Sequence, residues 1–490
     1  MANRQSQRTS VFSKLIKDFV GPMPFTVAPE TTLRDVVGGM TNKRASVALV
    51  TDADDRPLGI VTEQDVTRRI AFRADADQPV SDIMSAPVYT ITDDEYLYYA
   101  VARMRRQGTR HLTVIDADGR VAGMFDIHRA MADASSHLMD EIDALTREDS
   151  IEGLTEVKAA QVDLAEHLLA EGLPTPDIQA LLTHINNDIY RRVVNLNLKA
   201  MADEGLGKPP VRFCVIVMGS GGRGENYIYP DQDNGFILED YPDEDHNRID
   251  AWFIDLAERV TRDLDKVGLP LCKGYVMATN PLWRKTRSQW KHQVEIWNKR
   301  RNTTILRLCD IFFDFRSSWG DAAMADELRH HITQVVGGNQ SFLRDMYEDD
   351  REHGTALGWF GRFITEKDDK DHLGEMNLKH TGTLPLVEAM RLLSLREGIE
   401  EVSTLARMEA LHARGVLEDD EYDYLEGAFR TLSQILLRQQ IKDYQAGKMV
   451  SNYVDPKSLT ERERDILTDS LKAIHSLRER MRSEFTGEIF

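Results

Sequence analysis

Apolar residues recur along this chain at two periods, and the change between them marks its organisation. Leu182, Ile185, Ile189, Val193 and Leu196 fall at steps of three and four, which gives one apolar helical face in a helical stretch predicted over 134–203. "GLGKPP" (205–210) interrupts that pattern and predicts a boundary. "VRFCVIVMGS" (211–220) is short, continuous and β-branched, as a buried strand is. "NGFILED" (234–240) predicts a second strand, "RIDAWFIDLAERVTRDLDKVG" (248–268) an amphipathic helix and "LPLCKGYVMAT" (269–279) a third strand. "TILRLCDIFFDFRSSWGD" (304–321) predicts a helix-to-strand transition. The alternation predicts an α/β or α+β domain over 208–321. Helical spacing dominates afterwards, in "TLPLVEAMRLLSL" (383–395), "EYDYLEGAFRTLSQILLRQQ" (421–440) and "ERERDILTDSLKAIHSLRERM" (461–481), and predicts a helical bundle. Ser458 or Thr460 is the expected cap of the last helix, ahead of a glutamate-rich first turn.

The first region repeats itself. "ALVTDADDRPLGIVTEQDV" (48–66) is echoed by "TVIDADGRVAGMFDIHRA" (113–130), with Asp52 matching Asp116 and Gly59 matching Gly123. Each copy predicts a strand, an Asp/Gly turn, a second strand and a helix start, and each follows a helix (31–43 and 93–108). Two such units can pack on one another.

Composition narrows the function. The 490 residues are 41% hydrophobic and 29% charged, with a net charge of −20. That charge argues against nucleic acid as a partner, because phosphate contacts need clustered Lys and Arg, and it would also repel anionic lipid. No apolar run approaches the roughly 20 residues that span a bilayer, and the start of the chain lacks a signal-peptide core. Cys214, Cys272 and Cys309 are far apart and form no CxxC pair. They predict small core residues of a reducing compartment, and the expected location is cytoplasmic.

The candidate chemistry lies in "VMGSGGRGENYIYPDQDNGF" (217–236). Gly219 and its neighbours allow close approach of backbone to a ligand. Ser220 can donate a hydroxyl to a phosphate oxygen, and Arg223 can add a charged fork. Asp231 and Asp233 stand at i and i+2, so in an extended segment both point to one side and can share a magnesium ion. No Gly-Lys-Ser/Thr follows, which excludes a Walker loop, and the aspartates come too early for a dinucleotide fingerprint.

Two resemblances follow from these residues. "LGIVTEQDV", "DIMSAPVYTIT" and "RHLTVIDADGRVAGMF" resemble a tandem pair of CBS domains over 12–133. The resemblance implies an adenine nucleotide, with Thr62 on phosphate and Asp65 on the ribose hydroxyls. The second copy departs, with Asp126 where threonine and Arg129 where aspartate are expected; one nucleotide per pair, or a structural or dimerising pair, are the two readings. "GSGGRGENYIYPDQDNGFIL", with "PLCKGYVMATNPLW", "IFFDFRSSWGD" and "LKHTGTLPLVEAMRLLSL", resembles the polymerase-β-type nucleotidyltransferases related to the PII uridylyltransferase and the glutamine synthetase adenylyltransferase. The fold implied is multidomain α+β: the CBS pair, a helical segment (134–207), a polymerase-β-like core with a mixed sheet (208–321) and a C-terminal helical substrate-binding domain (322–490). The function implied is Mg2+-dependent transfer of a nucleoside monophosphate from a nucleoside triphosphate (ATP or UTP) to an acceptor hydroxyl, expected on a protein in signal transduction; a nucleotide sensor without chemistry is the alternative. Asp231 and Asp233 would bind metal, and Gly219, Ser220 and Arg223 triphosphate. The family's third carboxylate would be Asp314, with Asp310 as the alternative, or either residue simply pairs with Arg316 or Arg307. Glu225 is expected to brace the loop, and a homodimer is expected because CBS pairs often associate. The basic stretch 280–293 either grips a ligand or buries Trp283 and Trp290, and Lys379 and His380 are candidates to face the site.

Overall fold

In a computed structural model, residues 14–70, 74–107, 109, 111–126, 150–300, 302–350, 354–358 and 362–487 are described. The chain divides into two compact units, Met1–Thr146 and Arg147–Phe490.

The first unit repeats in its hydrogen bonds what it repeats in sequence. β1 (Phe25–Val27), α1 (Leu33–Lys43), β2 (Val47–Thr51) and β3 (Pro57–Thr62) recur as β4 (Thr90–Thr92), α2 (Leu97–Gln107), β5 (His111–Ile115) and β6 (Val121–Asp126). In each copy the first strand pairs parallel and the last antiparallel to the middle one. The Asp52 carboxylate accepts the N–H groups of Asp54 and Arg56, and Asp116 those of Asp118 and Arg120, all at 2.9 Å. That is why an aspartate opens both turns. A Cβ on Gly59 would lie 2.0 Å from Met84 Sδ, and one on Gly123 2.8 Å from Gly21 O, so each glycine admits a crossing segment. Arg129 lies outside the described residues, as does 134–149 of the predicted helical stretch.

The second unit is built on a four-stranded mixed sheet in the spatial order 316–320, 213–217, 234–238, 284–286. Two helices precede it, α3 (Ile151–Ala170) and α4 (Thr175–Asp203). β7 (Phe213–Val217) leads into the single turn α5 (Gly219–Arg223) and pairs antiparallel with β8 (Asn234–Leu238). α6 (His246–Val267) follows, then β9 (Arg284–Thr286), parallel to β8. α7 (Arg287–Lys299) and α8 (Thr303–Phe312) lead to β10 (Arg316–Gly320), antiparallel to β7. The stretch 269–279 is not the strand its apolar pattern predicts: Leu271 alone makes a bridge, to Gln232. Pro270 has no N–H, and a turn closed by Tyr275 N–H on Cys272 O bends the chain. The third core strand is instead the short, basic β9.

The remainder is helical: α9 (Ala322–Gly337), α10 (Gln340–Asp350), α11 (Leu384–Arg396), α12 (Thr404–Ala413), α13 (Asp419–Gln445) and α14 (Glu461–Thr486), with a small hairpin of β11 (Met376–Asn377) and β12 (Tyr453–Val454). Thr460 caps α14 reciprocally with Glu463. Trp283 and Trp290 are both 0% exposed, and Trp290 stacks on Phe312 at 4.5 Å. The basic stretch 280–293 thus anchors the core through its tryptophans, each expected to cost about 3–5 kcal/mol on truncation to Ala. α11 is buried from Pro385 to Leu395, charged side chains included. A helix buried all round needs partners for those charges: Arg391 pairs with Asp310 and Asp314, and Glu388 with Arg478.

Candidate functional site

The two aspartates meet where β7 and β8 begin to separate. Met218 N–H donates to Asp233 O at 2.8 Å, one step beyond the β7–β8 ladder. Between the aspartates, Gln232 is 0% exposed, and its side-chain amide donates to Thr261 O and Leu269 O. Extended backbone alternates sides, so anchoring Gln232 inward turns Asp231 and Asp233 together the other way. Carboxylate oxygens of both and the thiol of Cys272 lie within 4.8 Å of one another. Asp233 Oδ1 is shut off from solvent and accepts no hydrogen bond. Burial and then the charge of Asp231 push the Asp233 carboxyl up to about 7, opposed by a Cys272 hydrogen bond and the charges of Lys379 and Arg223. Gly219, at φ +58°, brings the turn so close that a Cβ there would lie 3.0 Å from Asp233 Oδ2. An orphaned carboxylate oxygen in a cradle of this kind, beside a second carboxylate, suits a divalent cation.

The turn and the loop after it are braced from three helices, α3, α4 and α12. Glu225 N–H donates to Ser220 O, and Asn226 N–H to Thr183 Oγ1 on α4. Gln179 donates to Glu225 O, while Glu225 Oε1 accepts Thr404 N–H at the start of α12. The Ser220 hydroxyl donates to Asn226 Oδ1 at 3.1 Å. Lys158, buried on α3, donates to Ile228 O at 2.7 Å and to Gln161 and Asn186. The bracing expected of Glu225 is what its contacts provide.

Two residues are placed otherwise than their types suggested. Arg223 presents no fork outward: Nε donates to Glu225 Oε2 and Nη1 to Asp314 Oδ2, both at 2.7 Å. Asp314 is 0% exposed and enclosed by the guanidinium groups of Arg223, Arg391 and Arg407, each at 2.7 Å. Burial opposes ionisation there, but Arg391, Arg407 and Arg223 hold the carboxyl far below the usual range. Asp314 precedes β10, on the far side of β7 from β8, and is not among the groups gathered at Asp231 and Asp233. A carboxylate so held is a poor proton acceptor, and each of its oxygens has a guanidinium nitrogen 2.7 Å away, a cationic setting that disfavours a metal ion. Asp310 also turns from the pair, to Arg391 at 2.6 Å and to Asp350 and Glu388. Neither pairs with the residue expected: Arg391, distant in sequence, is the shared partner.

Lys379 is exposed and close enough to act electrostatically on Asp233, an arrangement that sequence left open. Cys272 went unnoticed as anything but core, because a single cysteine in an apolar run carries no signal of what lies opposite it.

In the first unit, Thr62 and Asp65 engage one another. Thr62 Oγ1 donates to Asp65 Oδ2 at 2.7 Å and accepts Asp65 N–H at 3.3 Å. A cavity of about 270 Å3 is lined by both copies, by Phe25, Arg44 and Ser46 of the first and by His111, Met124 and Asp126 of the second. Asp126 thus stands at a cavity wall, where a carboxylate disfavours phosphate.

A glycine turn beside a paired Asp-x-Asp on a mixed sheet, carried with a tandem repeat, is the arrangement to be placed, and comparison with known proteins gives the family. Residues 16–72 and 80–133 match the description "CBS domain". Residues 159–304 match "Putative nucleotidyltransferase DUF294", and 340–485 match "Putative nucleotidyltransferase substrate binding domain". The chain belongs to the CBS-domain-containing members of that nucleotidyltransferase family. It is 30% identical over 112 residues to the "Uncharacterized 17.7 kDa protein in bps2 3'region" of Acidianus ambivalens, covering 22% of this chain and 68% of that one. It is 32% identical over 136 residues to the CBS domain-containing protein CBSCBSPB3 of Arabidopsis thaliana, covering 27% of this chain and 24% of that one. Among solved structures, the CBS domain protein PAE2072 from Pyrobaculum aerophilum, complexed with AMP, aligns at 26% identity and a TM-score of 0.24, covering 26% of this chain and 98% of that one. Among the described residues, no helix is long and apolar enough to cross a membrane.

Proposed function

We propose that the second unit binds a nucleoside triphosphate with Mg2+ and transfers its nucleoside monophosphate to an acceptor hydroxyl, releasing pyrophosphate. The observation that carries this reading is the pairing of Asp231 and Asp233, with the buried, hydrogen-bond-free Oδ1 of Asp233 under the glycine turn. Asp231 and Asp233 would hold the magnesium, which when bound offsets charge on the phosphates and leaving group. Gly219 lets the backbone approach the phosphates, Ser220 supplies a hydroxyl once released from Asn226, and Lys379 supplies a cation at the rim. Arg223 acts by holding the turn in place. The acceptor is a protein hydroxyl, in line with a family match described as a substrate-binding domain over 340–485, and the setting is cytoplasmic signalling by a homodimer. An adenine nucleotide at the first unit, touching Thr62 and Asp65 after their mutual bonds open, adjusts transfer.

A specific observation favours a second reading. With Asp314 enclosed by three arginines, no third carboxylate joins the pair among the described residues, so the acceptor hydroxyl lacks an evident base. The protein would then sense triphosphate without turning it over. Incubating the purified chain and Mg2+ with each α-labelled triphosphate in cell extract separates the two. Label on a macromolecule, absent with Asp231→Asn and Asp233→Asn, supports transfer. Mg2+-dependent triphosphate binding with no label on any macromolecule supports the sensor.

A further inference from the structure

We infer that Cys272 supplies the third metal-facing atom of the aspartate pair, so that Asp231, Asp233 and Cys272 also accept a thiophilic divalent cation of the zinc class in place of magnesium. The inference rests on the reading of Asp231 and Asp233 as metal-binding.

Backbone bonds hold Cys272 in place on both sides. Gln232 N–H donates to Pro270 O at 2.8 Å, and Asn234 N–H donates to Val276 O at 3.0 Å. Between those anchors the chain turns, and Tyr275 takes a left-handed φ of 56°, costly for a tyrosine. The strained turn is closed by Tyr275 N–H on Cys272 O and by Asn280 Nδ2 on Tyr275 O. It sets the thiol within 4.8 Å of the aspartates, at the edge of the apolar cluster that Cys272 joins. Cys214 and Cys309 differ: both are 0% exposed, Cys214 bonded to Ser317 and Cys309 within α8, whereas Cys272 keeps 8% exposure. The thiol lies within 4.8 Å of a carboxylate oxygen of each aspartate, and Asp233 Oδ1 is buried without a partner.

The donor set decides the ion. Two carboxylates alone suit magnesium, which prefers oxygen ligands. A thiolate added to them shifts preference towards zinc and cobalt, and three protein ligands leave a fourth position for a substrate oxygen. On binding, the S–H bond breaks, an Sγ–metal bond forms, and one proton passes to solvent.

The test uses the full chain and Co2+ as a spectroscopic stand-in, with Mg2+ in parallel. Wild type should show a thiolate-to-cobalt charge-transfer band. Cys272→Ser and Cys272→Ala, checked for native thermal unfolding, should lose the band and bind Co2+ at least about tenfold more weakly, a loss of about 1.4 kcal/mol, while Mg2+ binding stays near wild type. Zn2+ should protect Cys272 from alkylation. A cobalt complex without the band, or wild-type Co2+ affinity in both variants, overturns the inference and leaves the aspartate pair standing. Wild-type Mg2+ and Co2+ binding by Asp231→Asn and Asp233→Asn overturns the underlying reading, and the inference with it.

Discussion

Asp233 and Asp314 are both carboxylates removed from water, but their surroundings give them opposite roles. Asp233 has a neighbouring carboxylate and an oxygen without a donor; Asp314 has three guanidinium groups. Neutralising each should therefore act oppositely. Asp314→Asn leaves arginines buried without their counter-ion and should cost about 3–5 kcal/mol of stability, read as a lowered urea midpoint at unchanged slope. Asp233→Asn removes repulsion and should leave stability unchanged or higher, while abolishing metal-dependent triphosphate binding measured by calorimetry. Equal destabilisation by the two would contradict this division. Asp231 and Asp233 were legible in the sequence because their spacing of two and the glycines ahead of them are local features. The cage around Asp314 was not, because Arg391 and Arg407 come from α11 and α12 and no short-range pattern announces their convergence.

At the scale of elements, the site depends on helices that carry none of its chemistry. α3 presents Lys158 beneath the loop leading to Asp231, with Ile228 O, Gln161 and Asn186 as its acceptors. Burial lowers its pKa to about 7, against 10.5 when solvated. Between those values the unfolded chain binds the extra proton, so stability should rise with pH from about 7 to about 10.5, by at most about 1.4 kcal/mol per pH unit. Lys158→Met should flatten that rise, measured as denaturant midpoints across the window; an unaltered pH slope would show that Lys158 does not titrate there. The element pattern shows the same limit of sequence reading. β7 and β8 are apolar runs on a buried sheet and were readable as strands. β9, Arg284-Lys285-Thr286, is basic and only three residues long, so the apolar pattern predicts the strand in the run before it instead. Apolar residues need not be buried in a ladder: in 269–279 Leu269, Cys272, Val276, Met277 and Ala278 are buried, while Leu271 and Tyr275 are exposed on the turn.

Across the whole molecule, the two units pose a question of coupling that binding data answer. If an adenine nucleotide at the first unit alters triphosphate affinity at the second by some factor, linkage requires the triphosphate to alter adenine nucleotide affinity by the same factor. The departure at Asp126 makes the expected ligand specific. A carboxylate on the cavity wall disfavours a phosphate there, while the cap formed by Thr62 and Asp65 must open to admit one at the first copy. One adenine nucleotide per chain is therefore expected, and Thr62→Ala with Asp65→Ala should remove it together with its effect on the second unit. Asp126→Thr should instead add a second binding event in a calorimetric titration with AMP. A stoichiometry of two in the unaltered chain would show that Asp126 tolerates phosphate, and the asymmetry of the repeat would then lie in its geometry rather than its charge.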